Sequence, residues 1–370
     1  MLSKIHYAKP SITSKEIAYA TDAAANGWAE NCFDYINRFS SSLKNYLNVP
    51  YVFPTSSCTG ALHLAMAAMG IGPGDEVIAP DITWVASLAP VLYLGATPVL
   101  VDILPDTWCI DPAAIERAIT PRTKAILAVH LYGNLCEMDE IRAIAKKHNL
   151  LIIEDAAEAI GSVYKGENAG SMGDASTFSF HGTKTVTTGE GGALIVHSKN
   201  LYDKIVVLES HGRSPTATKQ FWAAELGYKY KMPNVAAALG VAQMERINDL
   251  VSRKREIFNL YKSKLSGVSF NPEKEGTYNS YWITTIVFDG EINRPALLQM
   301  FADKNIDARV FFYPLSMMPP FKNAIKHDNP VAYSIHERGI NLPSYHDITE
   351  DEIDRVCGVI REYVLNPENT

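Results

Sequence analysis

The segment that decides the fold reads Thr177-Phe-Ser-Phe-His-Gly-Thr-Lys-Thr-Val-Thr-Thr-Gly-Glu-Gly-Gly192. Its flanks, residues 175–180 and 193–197, carry the apolar and β-branched side chains that are typical of buried strands. The small hydroxyl residues and glycines between them predict a loop where the two strands meet. Lys184 is the only lysine or arginine of the segment, and its small neighbours leave room for a flat ligand. The alternative is that Lys184 is a solvated loop charge.

Two carboxylates end a second predicted strand, residues 150–155, and Glu158 follows shortly after. Acidic side chains at the carboxyl end of a buried parallel strand lie where open α/β sheets bind their ligands. A lysine and a strand-end carboxylate that face one flat molecule suit pyridoxal 5'-phosphate (PLP). Its aldehyde forms a Schiff base with the lysine, and the acid keeps its ring nitrogen protonated. The sequence therefore predicts a PLP enzyme built around Lys184 and Asp155.

A candidate phosphate cradle lies earlier in the chain, where Thr55-Ser-Ser-Cys-Thr-Gly60 follows a predicted strand and opens an apolar helix at residues 61–69. The free backbone N–H groups and the dipole at such a helix start attract anions. The alternative is that serine or threonine simply caps the helix. Trp84 follows the predicted strand Glu76–Pro80 at the same sheet edge, where an indole either packs in the core or covers a flat ring by stacking.

The composition is that of a globular enzyme, with 47% hydrophobic and 20% charged residues in a chain of 370. A net charge of −7 without a basic cluster argues against a nucleic-acid or anionic-membrane surface. We find no apolar run near the roughly 20 residues that span a bilayer, no signal peptide and no recurring metal-ligand spacing. The five cysteines form no Cys-x-x-Cys pair, so we expect reduced thiols and a cytoplasmic location.

Strands and helices alternate through the middle of the chain. The predicted segments are strands at 97–102 and 125–130 and helices at 112–119 and 139–148. Such alternation predicts a mostly parallel sheet with right-handed crossovers, and hence an α/β fold.

The pattern of predicted helices and strands changes in the last third of the chain. A single long helix is predicted at 235–265. The segments after it are strands at 281–288 and 307–312 and helices at 294–304 and Glu350–Leu365. We therefore expect a large domain at residues 1–250 and a smaller C-terminal α+β domain at 251–370, hinged near residue 250. The N-terminal segment is a candidate to pack on the smaller domain.

Several motifs, in matching order and spacing, resemble those of the sugar aminotransferases of the DegT/DnrJ/EryC1/StrS family. The motifs are Glu154-Asp155-Ala-Ala-Glu158, Ser179-Phe-His-Gly-Thr-Lys184, Thr188-Gly-Glu-Gly-Gly192, Gly95-Ala-Thr-Pro-Val99, His130-Leu-Tyr-Gly133 and Asn341-Leu-Pro343. The resemblance implies a type I PLP aminotransferase fold, with a large domain of mostly parallel mixed sheet and a homodimer that shares its active sites. Within the family, the sequence looks most like enzymes that aminate carbon 4 of a GDP-linked 4-keto-6-deoxymannose for surface polysaccharide, with glutamate as amino donor.

The resemblance also assigns roles to individual residues. It implies that Lys184 is the Schiff-base lysine and proton carrier, that Asp155 pairs with the ring nitrogen, and that Glu158 approaches the ring hydroxyl. The other roles that it implies are stacking on the ring by Trp84, phosphate binding by Cys58, Thr59 and Ser179, and a position beside the substrate for His181.

The sequence departs from the family pattern at three places. Gly227-Tyr-Lys-Tyr-Lys231 stands where many relatives have Gly-x-Asn-x-Arg. Lys229 is therefore a candidate to bind the phosphate of the partner subunit's PLP, and a solvated lysine is the alternative. Ser316 stands where relatives carry a histidine near the substrate, so that Tyr313 and Ser316 are candidate substrate residues. The turn at 29–33 also differs, which leaves the identity of the sugar and nucleotide open.

Other functions remain to be weighed. The amino acceptor could be another keto sugar, either UDP- or dTDP-linked, a 3-keto sugar or a sugar without a nucleotide. A dehydratase is a second alternative, although dehydrating relatives carry histidine where this chain has Lys184. A third alternative is a PLP-binding regulator that senses a sugar and has a separate effector-binding segment. The sequence argues against it because it shows no additional DNA-binding domain or basic stripe. A dinucleotide enzyme lacks support because Gly70-Ile-Gly-Pro-Gly-Asp75 follows a helix instead of a strand.

Overall fold

The computed structural model describes residues 3–365. Residues 1–2 and 366–370, which fall at the ends of the two predicted domains, lie outside the described residues. The helices are α1 (Ser14–Asn26), α2 (Asp34–Leu47), α3 (Cys58–Ala68), α4 (Ala89–Tyr93), α5 (Pro112–Ala118), α6 (Met138–His148), α7 (Lys199–Leu208), α8 (Asn234–Met244), α9 (Ile247–Lys264), α10 (Arg294–Asp303), α11 (Pro330–Arg338) and α12 (Glu350–Leu365). The strands are β1 (Tyr51–Thr55), β2 (Glu76–Pro80), β3 (Thr97–Val101), β4 (Thr123–Val129), β5 (Leu151–Asp155), β6 (Val163–Tyr164), β7 (Glu167–Asn168), β8 (Ala175–Ser179), β9 (Gly192–Val196), β10 (Val268–Phe270), β11 (Thr277–Tyr278), β12 (Thr285–Phe288), β13 (Arg309–Val310), β14 (Ile325–Lys326) and β15 (Gly339–Asn341).

The central sheet has the strand order β1-β9-β8-β5-β4-β2-β3-β14. The strands from β8 to β14 run parallel, and β9 runs against both of its neighbours. The strands β2 and β9 are buried along their whole length, because helices cover both faces of the sheet. Phe39 of α2 packs in the core on one face, and Leu62 of α3 packs in the core on the other. The predicted α/β architecture with a mostly parallel mixed sheet is confirmed.

A second core forms around the smaller sheet, whose strand order is β10-β12-β15-β13. It joins residues of α9, α10 and α12 with Ile5 near the N-terminus. The backbone of Ile5 pairs with Asn305 and Asp307 on either side of Ile306, at N–O distances of 3.0 and 2.9 Å. The strand β14 returns to the central sheet, where it pairs with β3. The domain division at residue 250 falls inside α9 and stays a prediction.

The predicted single helix at 235–265 is wrong, because the chain breaks between α8 and α9. Arg246 has φ −120° and ψ 10°, outside the helical region. The break lets α8 pack entirely on the core of the central sheet while α9 leads from that core into the second one. The predicted strand at 281–288 is also shorter, since Tyr281 has a φ of 49° and regular pairing begins only at β12. The helix α11 had no counterpart in the sequence-based prediction.

No helix among residues 3–365 combines the length and the apolar character needed to cross a bilayer.

The carboxylate of Glu16 fastens α1 to the junction of α8 and α9. It accepts hydrogen bonds from the backbone N–H and hydroxyl of Thr13 at 2.7 and 2.5 Å, and from Gln243 and Arg246 at 2.8 Å each. Burial by itself would raise the pKa of the Glu16 carboxyl, but these hydrogen bonds lower it from 4.5 to about 2. The charged form of Glu16 therefore stabilises the fold.

We expect Glu16→Gln to lower the free energy of unfolding by about 3 kcal/mol at pH 7. Since the pKa of Glu16 is lower in the folded state, its contribution is complete above pH 4.5 and is lost as the pH falls toward 2. The difference between wild type and variant should shrink by more than half at pH 3, as measured by urea unfolding. Glu30→Gln, at an exposed position, is the control. An equal difference at both pH values would contradict the assignment.

Candidate active site

A cleft of about 560 Å³ lies at the carboxyl ends of β2, β5 and β8, where the second core closes over the central sheet. It contains most of the site residues predicted from the sequence. Those that line the cleft are Cys58, Thr59, Trp84, Asp155, Glu158, Ser179, His181, Lys184 and Tyr313.

The loop between β8 and β9 carries Lys184, as the sequence predicts. Its hydroxyl residues hold the loop, since Thr187 donates a hydrogen bond from its side chain to the carbonyl of Phe180 at 3.1 Å. The backbone N–H of Lys184 closes a turn onto the carbonyl of His181 at 2.9 Å. The ammonium of Lys184 lies 3.2 Å from a carboxylate oxygen of Glu158, inside the cleft. This pair excludes the reading of Lys184 as a solvated loop charge.

Asp155 ends β5 as a buried carboxylate, 3% exposed. Its Oδ2 accepts a hydrogen bond from the hydroxyl of Ser87 at 2.7 Å, and its Oδ1 accepts one from the N–H of Ala157 at 3.1 Å. Burial raises the pKa of Asp155, whereas these two donors and the charge of Lys184 oppose the rise. A cation placed against Asp155 would complete its charge balance, which fits the protonated ring nitrogen of PLP.

Glu158 lies between the backbone of Tyr132 and the side chain of Lys184. Its Oε2 accepts the N–H of Tyr132 at 2.8 Å, while its Oε1 faces the ammonium of Lys184. Burial raises the pKa of Glu158, and the charge of Lys184 works in the opposite direction. The two acids and the lysine therefore form one buried charged cluster.

The start of α3 forms the predicted cradle on the wall of the same cleft. Ser57 caps the helix by accepting the N–H of Gly60 at 3.0 Å, and the N–H groups of Cys58 and Thr59 belong to the first turn. A side chain at Gly192 would meet the backbone nitrogen of Cys58 at 2.5 Å, so only glycine allows β9 to approach this helix start. Burial raises the pKa of the Cys58 thiol, which keeps it neutral. The residues present therefore fit the phosphate of PLP.

Two predicted residues do not line the cleft. Lys229 is exposed, on a segment that runs beside β1 and donates no group to the cleft of its own chain. Its contact with a partner subunit stays a prediction. Ser316 is buried, and its backbone N–H and hydroxyl donate hydrogen bonds to the two carboxylate oxygens of Asp81 at 2.8 and 2.6 Å. These bonds anchor the loop that carries Tyr313, and the contact of Ser316 with a substrate stays a prediction.

Sequence reasoning missed several residues of the cleft wall. They are Tyr7, Thr83, Ser87, Trp282, Arg309, Phe312 and Asn341. Ser87 could have been found, because it follows Trp84 by three residues beyond the same strand. Trp282 and Arg309 come from the last third of the chain, and no local pattern marks them as neighbours of Lys184.

The whole chain was compared with known proteins. Residues 10–361 match the DegT/DnrJ/EryC1/StrS aminotransferase family. The chain belongs to this family. The aminotransferase is 41% identical to the GDP-perosamine synthase of Escherichia coli O157:H7, over 96% of its own length and 97% of that protein. It is 39% identical to the GDP-perosamine synthase of Vibrio cholerae, over 96% and 98% of the two chains.

Solved structures agree with this assignment. The aminotransferase superposes with a TM-score of 0.90 on the PLP form of Spr1654 from Streptococcus pneumoniae, described as a sugar aminotransferase, with 30% identity over 98% of this chain and 100% of that one. The aminotransferase therefore has the predicted type I PLP aminotransferase fold and uses PLP as its cofactor.

We expect Asp155→Asn to lower turnover by at least about 100-fold while leaving the thermal unfolding midpoint within a few degrees of wild type. The variant keeps the shape of the side chain but removes the charge that faces the cleft. The matched control is Glu154→Gln, since Glu154 is equally buried but bonds His130 at 2.8 Å and Ser176 at 2.7 Å behind the sheet edge. Glu154→Gln should lower the stability of the fold before it lowers turnover. Equal turnover in Asp155→Asn and wild type would contradict the role of Asp155.

Proposed function

We propose that the aminotransferase transfers the amino group of glutamate to carbon 4 of a GDP-linked 4-keto-6-deoxymannose, in the synthesis of a surface polysaccharide. The observation that carries this proposal is the match to two GDP-perosamine synthases along nearly the whole of each chain. The position of Lys184 against Glu158 supports it, because amino transfer needs a lysine that can move a proton. An acceptor with another nucleotide is the alternative.

Each of the cleft residues has a separate role in this reaction. When bound, PLP supplies an electron sink that accepts the electron pair of a broken bond to carbon. Asp155 holds the charge on the ring nitrogen, and the start of α3 binds the phosphate. Lys184 takes a proton from one carbon and returns it to another. Glu158 accepts a hydrogen bond from the ammonium of Lys184 while the lysine carries that proton.

Arg309 supports the choice of anionic substrates. It lines the cleft with 58% of its side chain exposed, and its guanidinium lies 3.2 Å from Asp307 and over the ring of Tyr7 at 4.8 Å. Among the described residues that line the cleft, Lys184 is the one lysine and Arg309 is the one arginine. Since Lys184 takes part in the chemistry, we assign the carboxylates of glutamate to Arg309.

We also propose a homodimer in which Lys229 reaches the phosphate of PLP in the partner subunit. Large apolar side chains that are exposed on the isolated chain support the dimer: Trp28, Phe33, Tyr93, Phe221, Trp222 and Leu226. The exposed position of Lys229 suits contact with a second chain.

The unpaired state of all five cysteines supports a place in the reducing cytoplasm. We divide the chain into domains at residues 1–250 and 251–370.

The substrate is tested by offering the holoenzyme glutamate together with GDP-, UDP- and dTDP-linked 4-keto-6-deoxy sugars and separating the products by chromatography. We expect an amino sugar from the GDP-linked 4-keto-6-deoxymannose and one 2-oxoglutarate for each amine formed. Lys184→Ala should fold and yield no product. Faster amination of a UDP- or dTDP-linked sugar would overturn the proposed substrate, and product without loss of glutamate would overturn the proposed donor.

The role of Arg309 predicts a selective kinetic defect. Arg309→Gln should raise the KM for glutamate about 10- to 100-fold, because a charged hydrogen bond to a carboxylate is lost. The control variant is Arg117→Gln. Arg117 is exposed on α5, and its guanidinium lies 3.7 Å from the carboxylate of Asp111 at the start of that helix. An unchanged KM for glutamate in Arg309→Gln would show that the donor binds elsewhere.

A further inference from the structure

The ammonium of Lys184 has a second contact besides Glu158. Its Nζ lies 3.6 Å from the ring centroid of Trp282, over the face of the indole. At this distance the negative face of the ring attracts a positive charge. The contact crosses from the central sheet to the part of the chain that carries the second core, and it joins the catalytic lysine to a residue 98 positions further along the sequence.

The indole of Trp282 is held firmly in place. Its Nε1 donates a hydrogen bond to the carbonyl of Thr183 at 2.7 Å, immediately before Lys184. Its ring stacks on that of Tyr132, with centroids 6.1 Å apart and planes 29° apart. Only 4% of Trp282 is exposed. One hydrogen bond and one stacking contact therefore fix the orientation of the buried ring before Lys184 is considered.

These contacts form a closed ring of four residues. Trp282 stacks on Tyr132, the N–H of Tyr132 binds Glu158, and the other carboxylate oxygen of Glu158 faces Lys184. The ammonium consequently lies between a carboxylate oxygen at 3.2 Å and an aromatic face at 3.6 Å, and both attract a positive charge. The ring of contacts therefore fixes where the ammonium of Lys184 lies in the cleft.

We propose that Trp282 is a positioning residue that holds the ammonium of Lys184 during proton transfer. The inference rests on the proposed amino transfer from glutamate. In that step the α-carbon–hydrogen bond of glutamate would break, PLP would supply the sink for its electron pair, and its proton would form an N–H bond on the amine of Lys184. Trp282 and Glu158 then hold the ammonium until the N–H bond breaks again and the proton returns to carbon.

Trp282 could instead serve only as packing, and the chain offers a matched control for that reading. Trp108 is 3% exposed and belongs to the same buried cluster as Trp282. Its ring packs edge-on against Phe311, with centroids 5.5 Å apart, instead of against a cation. Replacing either tryptophan removes an indole from this cluster, but only the change at Trp282 removes the aromatic face from Lys184.

The test follows the proton directly. Holoenzymes of wild type, Trp282→Phe, Trp282→Leu and Trp108→Phe are incubated with glutamate in D2O without a sugar, and the loss of the α-proton is followed by NMR. We expect exchange to fall about 30-fold in Trp282→Leu and about 3-fold in Trp282→Phe, which keeps a weaker aromatic face. Trp108→Phe should exchange within about 2-fold of wild type, the size of effect expected when packing alone changes.

A second readout does not depend on turnover. In glutamate-treated enzyme, acetylation of Lys184 by a trace of acetic anhydride is measured by peptide mass spectrometry against the exposed Lys204. We expect the relative labelling of Lys184 to rise several-fold in Trp282→Leu, because its ammonium has lost one of its two partners. Thermal unfolding and bound PLP are measured for every variant, so that loss of fold is recognised.

The outcomes separate this inference from the proposed function. Wild-type enzyme that exchanges no α-proton would refute glutamate as the donor, and the contact with Trp282 would then be judged by the same labelling of enzyme from which PLP has been removed, in which the amine of Lys184 is free. A folded Trp282→Leu that exchanges and labels like wild type would overturn the inference. If Trp282→Leu does not fold, Trp282→Phe decides, and wild-type exchange with wild-type labelling in that variant overturns the inference as well. If α-proton exchange in Trp108→Phe falls as much as in the Trp282 variants, then Trp282 contributes only packing.

Discussion

The arrangement of the cleft depends on the alternation of side chains at the end of β5. Glu154 and Asp155 are consecutive, so their carboxylates point to opposite sides of the strand. Glu154 accepts hydrogen bonds from His130, from Ser176 and from the backbone of Gly170, Met172 and Gly173. Burial would raise the pKa of Glu154, but these donors bring it below its usual value. Glu154 is thus held by His130 just after β4, by β8 and by the loop before β8, whereas Asp155 lies on the other side of the strand and lines the cleft.

The chemistry of the site follows from the different partners of its acids. Glu154 is fully supplied with donors and serves the fold, whereas Asp155 and Glu158 keep raised pKa values and lie beside Lys184. A buried set of two acids and one lysine has a deficit of positive charge, which a protonated ring nitrogen would fill. The C-terminal part of the chain completes the cleft by adding Trp282 and Arg309 to its wall.

Much of the fold could be predicted because its determinants are local. Alternation of apolar runs with helical periods gave seven of the eight strands of the central sheet within one or two residues, and the motif around Lys184 indicated the loop between β8 and β9. The short strand β14 had no counterpart in the sequence-based prediction. The break between α8 and α9 has no local signal in the sequence, and Arg246 at the break contacts Glu16, 230 residues away. The contact of Trp282 with Lys184 was missed for the same reason. Long-range pairs are created by the fold and leave no local pattern.

The central claim is that Lys184 is the residue to which PLP bonds. The most direct measurement is to reduce the holoenzyme with borohydride, digest it and locate the pyridoxyl group by peptide mass spectrometry. We predict one modified peptide, which contains Lys184, and none when the cofactor has been removed before reduction. A pyridoxyl group on another lysine, such as Lys229, or no modified peptide from PLP-loaded enzyme would contradict the account.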